Sequence, residues 1–187
     1  MPGTLQVGGN TVITHTGDAG AGTNTLSSSV AFNNRLIQIA KNATDAGIQT
    51  GFITSTSYTW GNSSIEVSIT PNKAGNLLML NAYATGYNDS NDMRSFHTFL
   101  ISPDNGTTLI NVATDSNGMG LTSTDYVTNF YHYSGTDFGT GASNMLGYYT
   151  TQNTNPLKIR SSTRVANGQF KFFGPHVIIC YEYEVVS

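Results

Sequence analysis

The chain has 187 residues, 38% hydrophobic and only 10% charged, with a formal net charge of −3. That length suits one domain, or one domain plus a short appendage, and so weak a negative charge excludes the electrostatic gathering of nucleic acid or of an anionic membrane. Thr, Ser, Asn and Gly supply the missing polarity, while Tyr 10 and Phe 9 supply apolar bulk; the composition excludes a disordered chain and points to short strands joined by turns.

No apolar run approaches the roughly 20 residues of a membrane helix, and no membrane insertion is expected. The opening MPGTLQVGG has neither the basic nor the apolar region of a signal peptide. Cys180 stands alone, which excludes an internal disulfide and fits folding in a reducing cytoplasm.

Residues 1–34 differ in character from the rest of the chain. Two β-like runs, Leu5–Val7 and Thr11–Thr14, flank a Gly8-Gly9-Asn10 turn, and a Gly/Ala/Ser/Thr stretch comes next that is too small-sided to build its own core. Such a segment is either a tail or a docking stalk that orders against a partner. Its apolar positions, Leu5, Val7, Val12 and Ile13, are the candidates for partner contact.

From Arg35 the strand pattern is continuous. Leu36–Ala40 is a short apolar run, and strands are expected at 52–60, 65–70 and 76–85. In the second of these Ile65, Val67 and Ile69 alternate with Glu66, Ser68 and Thr70, the period of a strand with one wet face. Pro71–Gly75 is a turn, and Leu77–Leu80 reads as a strand covered on both faces. Met93–Ser102 leads through the hairpin turn Asp104-Asn105-Gly106 into a strand over 107–114. The aromatic strand Tyr126–Tyr133, a loop over 134–144, and strands at 145–151, 157–161, 169–173 and 176–186 complete the pattern. In the last, Val177, Ile179, Tyr181, Tyr183 and Val185 share one side; Ile178, Cys180, Glu182 and Glu184 share the other. Short strands at this spacing indicate an all-β sandwich or barrel.

The succession of Leu36–Ala40, SIEVSITP, a turn, NLLMLNAYA and a terminal HVIICYEYE resembles the C-terminal jelly-roll modules of phage fibre and virion-surface proteins, related in shape to the tumour-necrosis-factor and complement globular heads. TLQVGGNTVITHTGDAG is similar to segments common in phage tail-fibre and structural proteins. The resemblance implies an antiparallel jelly-roll β-sandwich of about ten strands over 35–187. It also implies a short extended docking segment over 1–34 that meets other virion proteins, a homotrimer around a threefold axis, and a place on the virion surface after assembly in the bacterial cytoplasm.

No G-x-S-x-G, H-E-x-x-H, Walker or C-x-x-C motif occurs, and the histidines (His15, His97, His132, His176) show no metal-ligand spacing. Glu66, Glu182 and Glu184 are expected on exposed strand faces. Glu182 and Glu184 point the same way, so a glycosidase pair is conceivable, but a charged edge that discourages sheet-to-sheet sticking is the commoner use. Asn88–Asp92 and Asp115–Gly118 carry fragments of a calcium set and fall short of its shell of about six to eight oxygens; turn chemistry accounts for both. The expectation is a non-enzymatic protein with no cofactor or metal. Binding surfaces are expected at Tyr126, Tyr131 and Tyr133, for core or trimer contact rather than the rarer stacking on sugar rings, and at the tip loops, with Tyr87, Asn88, Asp89, Asn117 and Phe138 as receptor candidates. A lectin-like adhesin that binds host surface glycan through those loops is the alternative, and a polysaccharide depolymerase a more remote one. Lys158, Arg160, Arg164 and Lys171 form a basic group that would meet an anionic polysaccharide, a neighbouring subunit, or solvent alone.

Overall fold

The computed structural model describes residues 3–7, 10–16, 23–26, 35–44, 52–61, 63–88, 93–132 and 139–185. Among these there is no helix. The chain divides into two units, Met1–Arg35 with Val186–Ser187, and Leu36–Val185.

The first unit is a three-stranded antiparallel meander of β1 (Gly3–Val7), β2 (Asn10–Thr16) and β3 (Thr23–Leu26), in that order. The β1–β2 hairpin is the one expected, and Leu5 pairs with Ile13 across it. Beyond the expectation, β3 forms within the small-residue stretch and sets Leu26 opposite Ile13.

The second unit is a jelly-roll sandwich. One sheet has the order β10-β6-β12-β4, from Gly139–Thr150, Leu77–Asn88, Phe170–Glu184 and Arg35–Thr44. The other has the order β5-β11-β7-β8, from Ser63–Ile69, Leu157–Val165, Met93–Ser102 and Ile110–Asn111, with β9 (Thr128–His132) also on β7. Early strands pair with late ones, β4 beside β12 and β5 beside β11. That nesting is the wrapped double Greek key of a jelly roll.

Both sheets contribute to one core. Val67, Ile69, Phe99, Ile101 and Ile159 meet Leu78, Leu80, Met145, Ile178 and Cys180 between the layers. Burying each such side chain contributes about 1.5–3 kcal/mol. A second cluster of Ile53, Ala84, Val165, Phe170 and Phe172 fills one end. A turn does fall at 104–106, with Asn105 and Gly106 both at positive φ (59° and 95°), but it lies inside the wider 102–109 connection from β7 to β8, closed by Ser102 Oγ accepting from Gly106 N and Asp104 Oδ1 from Thr108 N. A Cβ on Gly106 would lie 2.4 Å from the Trp60 ring.

Four strand expectations are corrected. Over 52–60 only an isolated bridge forms, Ile53 to Phe170; later carbonyls in that stretch accept from elsewhere, Trp60 O from Arg160 and Thr59 O from Ser162. The strand expected over 107–114 shrinks to β8, because the Asn111 side chain accepts from Thr98 and from the Ala113 amide and curls the chain into a turn. The loop expected over 134–144 is strand from Gly139, where Gly139–Asn144 pair with Asn88–Tyr83 along the backbone. The two strands expected at 169–173 and 176–186 are one, β12, with an irregularity between Phe172 and His176 that accommodates Pro175.

Phe99 is fully buried and its ring lies where a Cβ on Gly147 would come within 3.1 Å. Phe99→Ala is expected to lower unfolding free energy by about 3–5 kcal/mol in urea titrations, with the slope of the transition unchanged.

Candidate functional site

The acidic residues fall out differently from the expectation. Glu182 is fully buried. Its carboxylate accepts from Gln38 Nε2 at 2.5 Å, from the Asn72 amide at 2.8 Å and from Asn76 Nδ2 at 2.6 Å. One side chain thereby ties β12 to β4 and to the β5–β6 turn. The exposed carboxylate pair is therefore corrected: Glu182 faces the interior, because three donors await it there and solvent does not. Glu66 is half-buried rather than exposed, held between Lys158 at 3.1 Å and Arg160 at 2.9 Å.

Two other groups have the composition of reactive sites without access. His97 lies between Ser95 Oγ at 3.1 Å and Thr163 Oγ1 at 2.8 Å, all three buried. Phe170 and Phe172 approach it edge-on. Burial pushes the imidazole down to about 3. Cys180 is buried, and burial, with Glu182 beside it, pushes its thiol up to about 12; such a sulfur is inert.

Among the described residues, one feature open to a ligand is a cleft of about 530 Å³ on the second unit, lined by Phe96, Thr114, Leu121–Tyr126 and Arg164. Arg164 on β11 stands opposite Phe96 on β7. Its Nε and Nη2 donate to the two oxygens of Asp125 at 2.9 and 2.6 Å. The guanidinium lies 4.1 Å over the Phe96 ring and 5.5 Å over that of Tyr58, and the Tyr126 ring sits 4.8 Å from Phe96. Asp125 raises the Arg164 pKa above its ordinary value, and burial raises that of the Tyr58 phenol. The loop is pinned by the Asn111 side chain donating to Asp125 O, by Val127 N donating to His97 O and by Leu121 N donating to Ala113 O. A Cβ on Gly118 would lie 2.4 Å from Val112 O, so this fold of the loop needs glycine there.

Of the residues predicted from sequence, Tyr126 lines this cleft and precedes the strand rather than lying in it. Tyr131 is in β9, paired with Arg94. Tyr87 and Asn88 are in β6, opposite Thr140 and Gly139. Asn117 is not at the cleft; its carbonyl accepts from Thr150 N at 2.6 Å, and its amide donates to Asp115 Oδ1. Asp115 thus serves the turn. Leu5 and Val7 are in β1, and Val12 and Ile13 in β2. Asp89, Tyr133 and Phe138 lie outside the described residues. Most of the basic group is engaged internally, with Lys158 and Arg160 on Glu66, Arg164 on Asp125, and Lys171 5.5 Å over the Phe52 ring. Sequence reading missed Asp125, Arg164 and Phe96 as one cluster, since they come from three separate segments.

No family model matches the sequence, and no curated protein does. Among solved structures, the chain is similar to that of the infectious bursal disease virus Gx strain, with 13% identity and a TM-score of 0.35 over 100% of this chain and 42% of that one. It is similar also to the VP2 subviral particle of that virus, with 13% identity and a TM-score of 0.32 over 91% of this chain and 41% of the other. Dimeric latent PorU from Porphyromonas gingivalis overlays with 9% identity and a TM-score of 0.31, over 84% of this chain and 14% of that one. The chain thus spans about two fifths of the length of the viral structures it matches. Overlays with scores this low assign it no family.

The buried groups lead to two expected outcomes. Glu182→Ala strands three donors and is expected to cost about 3 kcal/mol or more in urea unfolding, and Glu182→Gln clearly less. For His97, the unfolded imidazole takes a proton below 6.5, whereas the folded one does so only near 3. Its contribution is thus complete above pH 6.5 and is lost as pH falls towards 3. Between pH 7 and 5 the wild type should lose about 2 kcal/mol more than His97→Gln, read from paired urea titrations.

Proposed function

We propose that this chain is a non-enzymatic structural protein of a bacteriophage virion: a fibre, spike or capsid-decorating protein. Its sandwich unit associates as a homotrimer, its N-terminal unit docks onto other virion proteins, and its tip loops face the host. The observation that carries the reading is the direction of β12. Glu182 turns inward, while Val177, Ile179, Tyr181 and Tyr183 turn outward, each only half-buried.

Cross-strand pairing extends that strip over three strands. Tyr148 stands beside Met79 and Met79 beside Tyr181; Leu146 stands beside Asn81 and Asn81 beside Ile179. Leu146 is 60% exposed and Tyr148 44%. None of these side chains is charged. A contiguous uncharged, aromatic-rich face of this kind marks an interaction surface, and because it carries no charge to repel itself it suits contact between identical copies. A closed threefold ring buries such a flank on every subunit. The non-enzymatic part of the reading is supported by the structural use of the available acids: Glu182 and Glu66 are both engaged within the fold.

Light scattering on the purified chain is expected to give three times the subunit mass, and Tyr148→Glu to give monomer with an unchanged circular dichroism spectrum. A monomeric wild type at micromolar concentration overturns the trimer. Antibody labelling in electron micrographs is expected to mark whole phage particles; a chain confined to the soluble lysate overturns the virion assignment.

A further inference from the structure

We propose that the cleft between Tyr126 and Arg164 is a binding site for a neutral sugar unit. The inference goes beyond the structural reading and does not rest on it. A pyranose has an apolar C–H face and a rim of hydroxyls that both donate and accept, so a site for it needs an aromatic surface beside fixed polar groups with spare capacity. The cleft has both. Phe96 is covered on one face by the Arg164 guanidinium and abuts Tyr126, which leaves the half-buried Tyr126 ring as the platform offered to a ligand.

The polar part is Asp125. Each of its oxygens accepts one bond from Arg164. A carboxylate has about four acceptor positions, so each oxygen keeps a second for a sugar hydroxyl. The side chain is 43% exposed, within reach of solvent and hence of ligand. The Asp125–Arg164 pair is neutral as a whole, and the remaining polar lining, Thr122, Ser123 and Thr124 among it, carries hydroxyls and no charge. An anionic sugar would be repelled by the exposed Asp125 carboxylate, and a cationic one finds that carboxylate already neutralised by Arg164. A neutral sugar meets neither penalty.

The site is also held rigid before any ligand arrives. Arg164 is fixed by the bidentate bond and by the ring beneath it, and the loop by bonds from Asn111, Leu121 and Val127. Little ordering cost then remains on binding.

The test is an NMR titration of the full chain with glucose, galactose, mannose and N-acetylglucosamine, their short oligomers, and galacturonate and glucosamine as charged controls. At least one neutral saccharide is expected to shift the amides of residues 96, 121–126 and 164 with a millimolar dissociation constant. Tyr126→Ala and Asp125→Asn are expected to weaken it by roughly tenfold each. Thr122→Trp, at an exposed position that lines the cleft, should abolish it while leaving the melting temperature unchanged; this variant separates loss of the site from loss of the fold. Shifts confined to other loops, binding of the charged controls alone, binding indifferent to Thr122→Trp, or no shift with any neutral saccharide overturns the proposal. None of these results bears on whether the chain is a trimer or part of a particle.

Discussion

The fold turns on one sealed carboxylate. Hydrophobicity alone would set the end of β12 the other way round, with Val177, Ile179, Tyr181 and Tyr183 inside and Glu182 in water. Because strand side chains alternate with a period of two, a slip of one residue would achieve that exchange. What opposes it is the set of donors from Gln38, Asn72 and Asn76 converging on Glu182. A buried acid needs such a set, and once satisfied it fixes the register of the strand that carries it. The turn around Pro71, the edge strand β4 and the end of β12 are then a single arrangement. The apolar face directed outward is its consequence.

The other layer of the sandwich is organised by β7. This strand is covered on both sides: Phe99 and Ile101 enter the main core, His97 enters the second cluster with Phe170 and Phe172, and Thr98 anchors Asn111. Asn111 in turn holds Asp125. The cleft is therefore built on the most buried strand of its sheet, and its loop is an extension of the core rather than an appendage to it. Loops held in this way can vary in sequence at their exposed positions while their backbone stays put.

How far the sequence disclosed all this depended on whether a feature was local. The alternation of Ile65, Val67 and Ile69, the run Leu77–Leu80 and the Asp104-Asn105-Gly106 turn each carry their signal within a few residues, and β5, β6 and the turn form where that signal lies. β10 starts earlier than expected, because Gly139–Asn144 are small residues whose pairing with β6 leaves no apolar period to read. The stretch from Phe52 to Trp60 has the composition of a strand, but its carbonyls are claimed by Arg160 and Ser162, about a hundred residues away. The same distance hid the cleft. The aromatic Tyr126 could be singled out, whereas its relation to Asp125, Arg164 and Phe96 exists only once β7 and β11 are paired.

The scarcity of charge links the two surfaces. The chain has eight Lys and Arg against eleven Asp and Glu, and the fold engages many of them internally: Glu66 with Lys158 and Arg160, Asp125 with Arg164, Glu182 with its three amide donors. Surfaces built from what remains have little long-range field with which to attract or discriminate a partner. Recognition on such a protein must come from shape, aromatic area and hydroxyl or amide hydrogen bonds, all of which act only at contact. Contact forces favour rigid partners met repeatedly at close quarters, such as identical subunits in an assembly or the repeating units of a polymer. A sandwich that fixes its register from within can hold both kinds of surface in place without spending charge on either.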